Sequence, residues 1–287
     1  MNTICDNICC CRRRYWIPNP VLIREAVMLP TVDFCGLKVT RLILGANPFG
    51  GFSHQCKERD QEMVKYYTPD RIRETWARAE AAGINTMITN NETPHVINTV
   101  QDYLAKGGPL QWIGQIANHS NSSMSDAVDK AVAIGAKAFY YHGGIVDKFY
   151  MERDEKTLRD WVQHARKHGV PVGVAGHAPE THYWVDSLKL VDFHVVCFFN
   201  CGSLHSGKGQ KFKLADAFAA AECVRKLQKP CIGYKIMAAG RIDPAMAFEF
   251  AFDRIKPGDV VNVGMHRGDK DNMVEENVAM VRKILGC

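Results

Sequence analysis

The sequence predicts a (β/α)8 TIM barrel behind an N-terminal β-hairpin. From about Val32 onward the chain repeats one rhythm: a short β-branched or aromatic run, a polar loop, then an amphipathic helical stretch. That alternation reads as a parallel sheet covered by helices. Eight strand-like runs stand at 41–46, 85–89, 111–116, 136–141, 170–175, 193–198, 231–236 and 260–264. Eight βα units with no composition break between them favour a closed barrel over an open doubly wound sheet.

The elements follow in order. Residues 1–31 read as a tail, partly disordered, and 32–287 as a single barrel domain. A hairpin over 32–39, turning at Cys35-Gly36, is placed to plug the barrel bottom. A helix is predicted over 69–82, with Thr68 as N-cap and Gly83 as stop; a second over 125–134 ends at Gly135, and a third over 158–167 closes at Gly169. The run Gly202-Ser203-Leu204-His205-Ser206-Gly207-Lys208-Gly209 matches no phosphate-loop spacing and reads as a mobile loop after the sixth strand.

Composition narrows the function classes. Of 287 residues 46% are hydrophobic and 23% charged, which excludes fibrous and disordered readings. A net charge of +5, spread along the chain apart from Arg12, Arg13 and Arg14, predicts no nucleic-acid partner. Of the 11 cysteines, Cys5, Cys9, Cys10 and Cys11 crowd the tail and the rest are scattered, so a reduced, cytoplasmic protein is expected. The stretch 15–29 carries Pro18, Pro20, Arg24 and Glu25 and lacks the apolar run of a signal peptide or membrane span.

Barrel enzymes hold their chemistry where strands end, and here every strand end is polar or titratable. Three histidines, His119, His142 and His177, with Glu92 or Asn47 alongside, would supply an imidazole and carboxylate set suited to Zn, Mn or Fe. His142, His177 and Lys235 are the candidate catalytic groups; Lys235 in a barrel mouth would form a Schiff base, bind an anion or stabilise developing negative charge. Asn47, Asn90, Gln115 and Asn200 are suited to hydroxyls and carbonyls, and Trp184 to stacking on a sugar face. If His142 points into the barrel, Tyr140 and Ala138 share its face, as Gly173 and Ala175 share that of His177.

From Val32 onward the sequence resembles the aldo/keto reductase superfamily. The likeness rests on Leu42-Ile43-Leu44-Gly45 leading into Pro48-Phe49-Gly50-Gly51, on Ala82-Gly83-Ile84-Asn85, on Tyr140-Tyr141-His142, and on Gly264 with Glu276-Asn277. It implies a barrel of aldo/keto reductase type that binds NADP(H) without a Rossmann domain. Of that family's Asp, Tyr, Lys and His tetrad only His142 matches; Ile88, Thr93 and Gln115 stand at the other positions. Gly176-His177 replaces the family's Ser-Asn that holds the nicotinamide amide. Arg267, Glu276 and Asn277 are the positions that would face the adenosine phosphate and adenine. The likeness is to a divergent branch lacking most of the tetrad, and no NADPH-dependent reduction of simple aldehydes is expected of it.

Three function classes stand at this point. One is a barrel-mouth enzyme on a small polar carbonyl or sugar-like substrate, a metal-assisted lyase, isomerase or hydrolase. The others are a divergent NADP-dependent oxidoreductase and a ligand-binding barrel without catalysis.

Overall fold

The computed structural model describes residues 28–119, 123–201 and 212–287. The tail cysteines Cys5, Cys9, Cys10 and Cys11 and the glycine-rich loop at 202–209 lie outside the described residues. β1 (Thr31–Phe34) and β2 (Leu37–Thr40) form the expected antiparallel hairpin. Its two-residue turn places Cys35 (φ 54°) and Gly36 (φ 84°) in the left-handed region, the backbone that matches strand twist in a tight hairpin. Phe34 is fully buried and meets the Phe193 ring edge-on at 5.2 Å, so the hairpin closes the barrel floor. Leu29 and Pro30, assigned to the tail from sequence, are tied in: Leu29 is buried and donates its N–H to Gly83 O at 3.1 Å, and Pro30 O accepts from Arg41 N at 2.9 Å.

The barrel strands are β3 (Leu42–Gly45), β4 (Thr86–Asn90), β5 (Gln111–Ile116), β6 (Ala138–Tyr141), β7 (Val172–Gly176), β8 (Phe193–Cys197), β9 (Cys231–Tyr234) and β10 (Val260–Gly264). Each pairs in parallel with the next, and β10 pairs with β3 to close the ring. All eight predicted strands are present. β7 starts two residues later than read, because Pro171 has no N–H to give the ladder.

The helices are α1 (Lys57–Tyr66), α2 (Pro69–Ala82), α3 (Pro94–Ala105), α4 (Met124–Ile134), α5 (Gly143–Glu152), α6 (Glu155–Arg166), α7 (Pro179–Leu188), α8 (Leu214–Lys226), α9 (Pro244–Arg254) and α10 (Met273–Leu285). α2 has its predicted bounds: Thr68 Oγ1 accepts from Arg71 N at 3.3 Å and Gly83 adopts φ 96°. α6 begins three residues earlier than its apolar spacing shows, because Asp154 caps the polar turn through Thr157 N at 3.0 Å. Replacing Thr68 by Ala is expected to cost about 1 kcal/mol, read as a lowered urea midpoint, while Ser preserves it.

Two apolar layers result. Ile43, Ile88, Ile113, Val195, Ile232 and Val260 fill the barrel interior, and a larger layer lies between strands and helices. The interior packing ends below the C-terminal strand ends, which leaves the mouth to polar side chains. Among the described residues no helix is long and apolar enough to cross a membrane.

Candidate active site

A cavity of about 520 Å³ opens at the C-terminal ends of the strands. Asn47, Asn90, Glu92, Gln115, His119, His142, His177 and Lys235, all named from sequence, line it. Ile88, Thr93, Gln115 and His142 line it too, so the four positions aligned with the reductase tetrad do converge. The expected strand faces hold as well: Tyr140 and Ala175 reach the cavity, and Tyr140 donates its hydroxyl proton to Gln115 Oε1 at 3.2 Å.

The most ordered chemistry is at His177, just past β7. Its Nδ1 lies 2.7 Å from Asp147 Oδ2, and its backbone N–H donates to the same carboxylate at 3.2 Å. Thr181 donates its hydroxyl to Asp147 Oδ1 at 2.8 Å. Asp147, on α5, is only 3% exposed. Burial works to raise its carboxyl pKa, but the hydrogen bonds from His177 and Thr181 prevail and hold it below the ordinary value. A carboxylate fixed this way keeps the proton on Nδ1 and leaves Nε2 as the basic atom of a ring that lines the cavity.

Gly143 makes room for this arrangement, and Gly144 for the His142 ring. A Cβ at Gly143 would lie 2.9 Å from His177 Cε1 and 3.1 Å from its Nδ1. Gly143→Ala is therefore expected to push the imidazole off Asp147, costing about 1–3 kcal/mol and displacing the His177 ring resonances in an NMR spectrum.

The other basic groups of the mouth are pushed towards their neutral forms. Burial, with His177, His119 and Lys235 nearby, lowers the His142 pKa to about 4; burial, with Lys235 and His177, lowers that of His54 to about 3. Burial also lowers Lys235, partly offset by Cys197, Cys201 and Asp147. Lys235 holds a left-handed backbone (φ 54°) at the end of β9, a conformation that disfavours side chains with a Cβ and fixes where its ammonium leaves the strand. His142 Nδ1 and Asn262 Oδ1 are buried with no hydrogen-bond partner among the described residues, and both residues border the cavity. Burial pushes the phenols of Tyr140 and Tyr234 upward, which keeps both protonated and makes them weaker proton donors.

Several expectations are corrected. His119 lies beyond β5 with its side chain 62% exposed and its Nδ1 2.8 Å from Glu92 Oε2, while His177 Nδ1 is taken by Asp147. Among the described residues three ligand atoms converge within 4.8 Å only at Asp129, His164 and His168, outside the mouth. The ligand atoms of His119, His142, His177 and Glu92 do not come within that distance of one another as a set. Trp184 packs on Tyr150 in the helical layer, with ring centroids 6.1 Å apart, and lies outside the cavity lining. Asn200 is buried beside α8, its N–H 3.4 Å from Asp216 Oδ2, and does not line the mouth either. Asn90 spends its carbonyl on the turn, accepting from Glu92 N at 2.9 Å and Thr93 N at 2.8 Å.

A second cavity of about 520 Å³ adjoins the first along Asn47, Phe52, His54, Lys235, Asn262 and Gly264. Glu276 and Asn277 line it, with Arg59 and Lys270. Arg267 does not: its guanidinium is buried in ion pairs with Glu74 at 2.7 Å and Asp271 at 2.6 Å, which removes it as a phosphate ligand.

The fold and this mouth define a (β/α)8 barrel with enzyme-like strand ends. Two structures from Pseudomonas aeruginosa, each named provisionally as an aldo-keto reductase, share the barrel fold. They superpose with TM-scores of 0.62 and 0.63 at 17% and 18% identity, covering 92% and 93% of this chain and 98% and 99% of theirs. A truncated 3-deoxy-D-arabino-heptulosonate 7-phosphate synthase from Thermotoga maritima is similar at TM-score 0.55 and 11% identity, over 90% of this chain and 92% of its own. At such identities the likeness is one of fold. No family model matches the chain, and no curated protein matches it in sequence.

Proposed function

We propose that the barrel mouth is the active site of a cofactor-independent acid–base enzyme, an isomerase or lyase acting on a small polyhydroxy carbonyl compound. The observation that carries this reading is the buried Asp147 holding His177 in one tautomer at the cavity wall. His177 Nε2 would take a proton from carbon next to the carbonyl, Asp147 would stabilise the imidazolium so formed, and Lys235 would stabilise the negative charge arising on oxygen. Asn47, Gln115 and the unpartnered Asn262 Oδ1 supply neutral hydrogen-bonding groups for hydroxyls. The candidate metal ligands of the mouth do not converge within 4.8 Å of one another, so no step is routed through a metal.

A second reading keeps an NADP-dependent oxidoreductase, and the joining of the two cavities favours it, since an extended dinucleotide could lie along both. Glu276, Asn277 and Lys270 would then hold the adenosine end, and the cofactor would supply hydride. The two readings separate when a panel of small ketoses, aldoses and hydroxy acids is incubated with the protein in EDTA, with and without NADPH. Conversion without nucleotide, lost in His177→Ala and Lys235→Met, supports the acid–base reading. Conversion only with stoichiometric NADPH oxidation overturns it.

A further inference from the structure

On the barrel wall, away from the mouth, α4 and α6 bring Asp129, His164 and His168 together. His164 Nε2 lies 2.6 Å and His168 Nε2 2.7 Å from the same oxygen, Asp129 Oδ1. The spacing is built by the chain. His164 sits in the last turn of α6, His168 continues it through its N–H to Ala165 O at 3.1 Å, and Gly169 (φ 67°) then ends the turn. Residues four apart lie on one face of a helix, so both imidazoles point the same way, towards α4. Their side chains are 25% and 26% exposed, half-sheltered yet open to an ion and water.

We propose that Asp129, His164 and His168 form a site for a zinc-class divalent transition ion that clasps α4 to α6. Two imidazoles and one carboxylate are the borderline donors such an ion prefers, and water would complete a tetrahedral shell. The carbonyl ends of the last turn of α6 add partial negative charge at the same place. The site shares no residue with the mouth, so it stands whether or not the proposed reaction is correct.

The test is zinc titration of the full chain, followed by NMR of the histidine ring nitrogens, which reads each site separately from the tail cysteines. The His164 and His168 resonances should move together and saturate with added zinc, with His177 unmoved at that point. Asp129→Asn should weaken this binding on the order of ten-fold or more, and His164→Ala should abolish the response of His168. Both variants sit on the surface and should keep the native melting curve in EDTA. Unmoved His164 and His168 resonances in excess zinc, or equal affinity in Asp129→Asn, would show that the cluster is an ion pair only and overturn the proposal.

Discussion

Asp147→Ala is expected to abolish turnover, lowering kcat/KM on the order of 10²- to 10⁴-fold, the range a positioned acid–base group supplies. It should also destabilise the fold by about 3 kcal/mol, because the His177 amide, its Nδ1–H and the Thr181 hydroxyl all lose their buried acceptor. Asp147→Asn separates the two effects. An amide can still accept from Thr181 but no longer holds the proton on Nδ1, so stability should largely return while activity does not. Because the carboxyl pKa is depressed in the folded state, Asp147 stabilises the fold above its unfolded value of about 3.9 and that contribution is lost as pH falls through the folded value. A variant that unfolds without loss of specific activity in its folded fraction would contradict this role.

Acid sensitivity at mildly low pH is the second large effect. Burial lowers His182 and His142 to about 4, and burial beside His182 lowers His194 well below the usual histidine value. His182 and His194 pair through Nδ1 atoms 3.2 Å apart, where one ring donates to the other and two imidazolium charges could not be accommodated. In the unfolded chain these rings take up protons near pH 6.5; in the folded chain His182 and His142 stay neutral until about pH 4, and burial holds His194 well below the usual histidine value. Unfolding therefore binds protons across that window, and stability present above about pH 6.5 is lost as pH falls towards 4. The slope is about 1.4 kcal/mol per pH unit for each such ring, or about 3 kcal/mol for His182 and His142 acting together. Urea midpoints should fall steeply between pH 6.5 and 4.5, a window above most carboxylate titration. A flat profile there would show that these rings are not held neutral.

The sequence shows the fold well because the βα rhythm is local: Thr68 and Gly83 bound α2, and Cys35-Gly36 sets the hairpin, through contacts within a few residues. The mouth was partly legible for a different reason. In a barrel all strands end on one side, so reading strand ends finds His142, His177 and Lys235 without knowing any distance. That procedure passes over Asp147, which stands one turn into α5, and over Asn262, a lone polar residue inside the apolar run Val260-Val261-Asn262-Val263. The polar interruption was visible; the partner of His177 was not, since only the packing of α5 against β7 brings Asp147 there. Neighbouring strand ends did not show how far apart the candidate metal ligands stand. His119 lies three residues past the end of β5 and turns to Glu92. Arg267 was read for its charge, which Glu74 and Asp271 neutralise from α2 and the loop before α10.

The most direct measurement is solvent deuterium exchange. Dihydroxyacetone, glyceraldehyde and free aldopentoses would be held with the protein in deuterated buffer with EDTA and no nucleotide, and carbon-bound deuterium followed by NMR. Incorporation at the carbon next to the carbonyl, lost in His177→Ala and strongly reduced in Asp147→Asn, is the result this account predicts. Absence of exchange with every compound, together with NADPH-dependent reduction of any of them that survives His177→Ala, would contradict it.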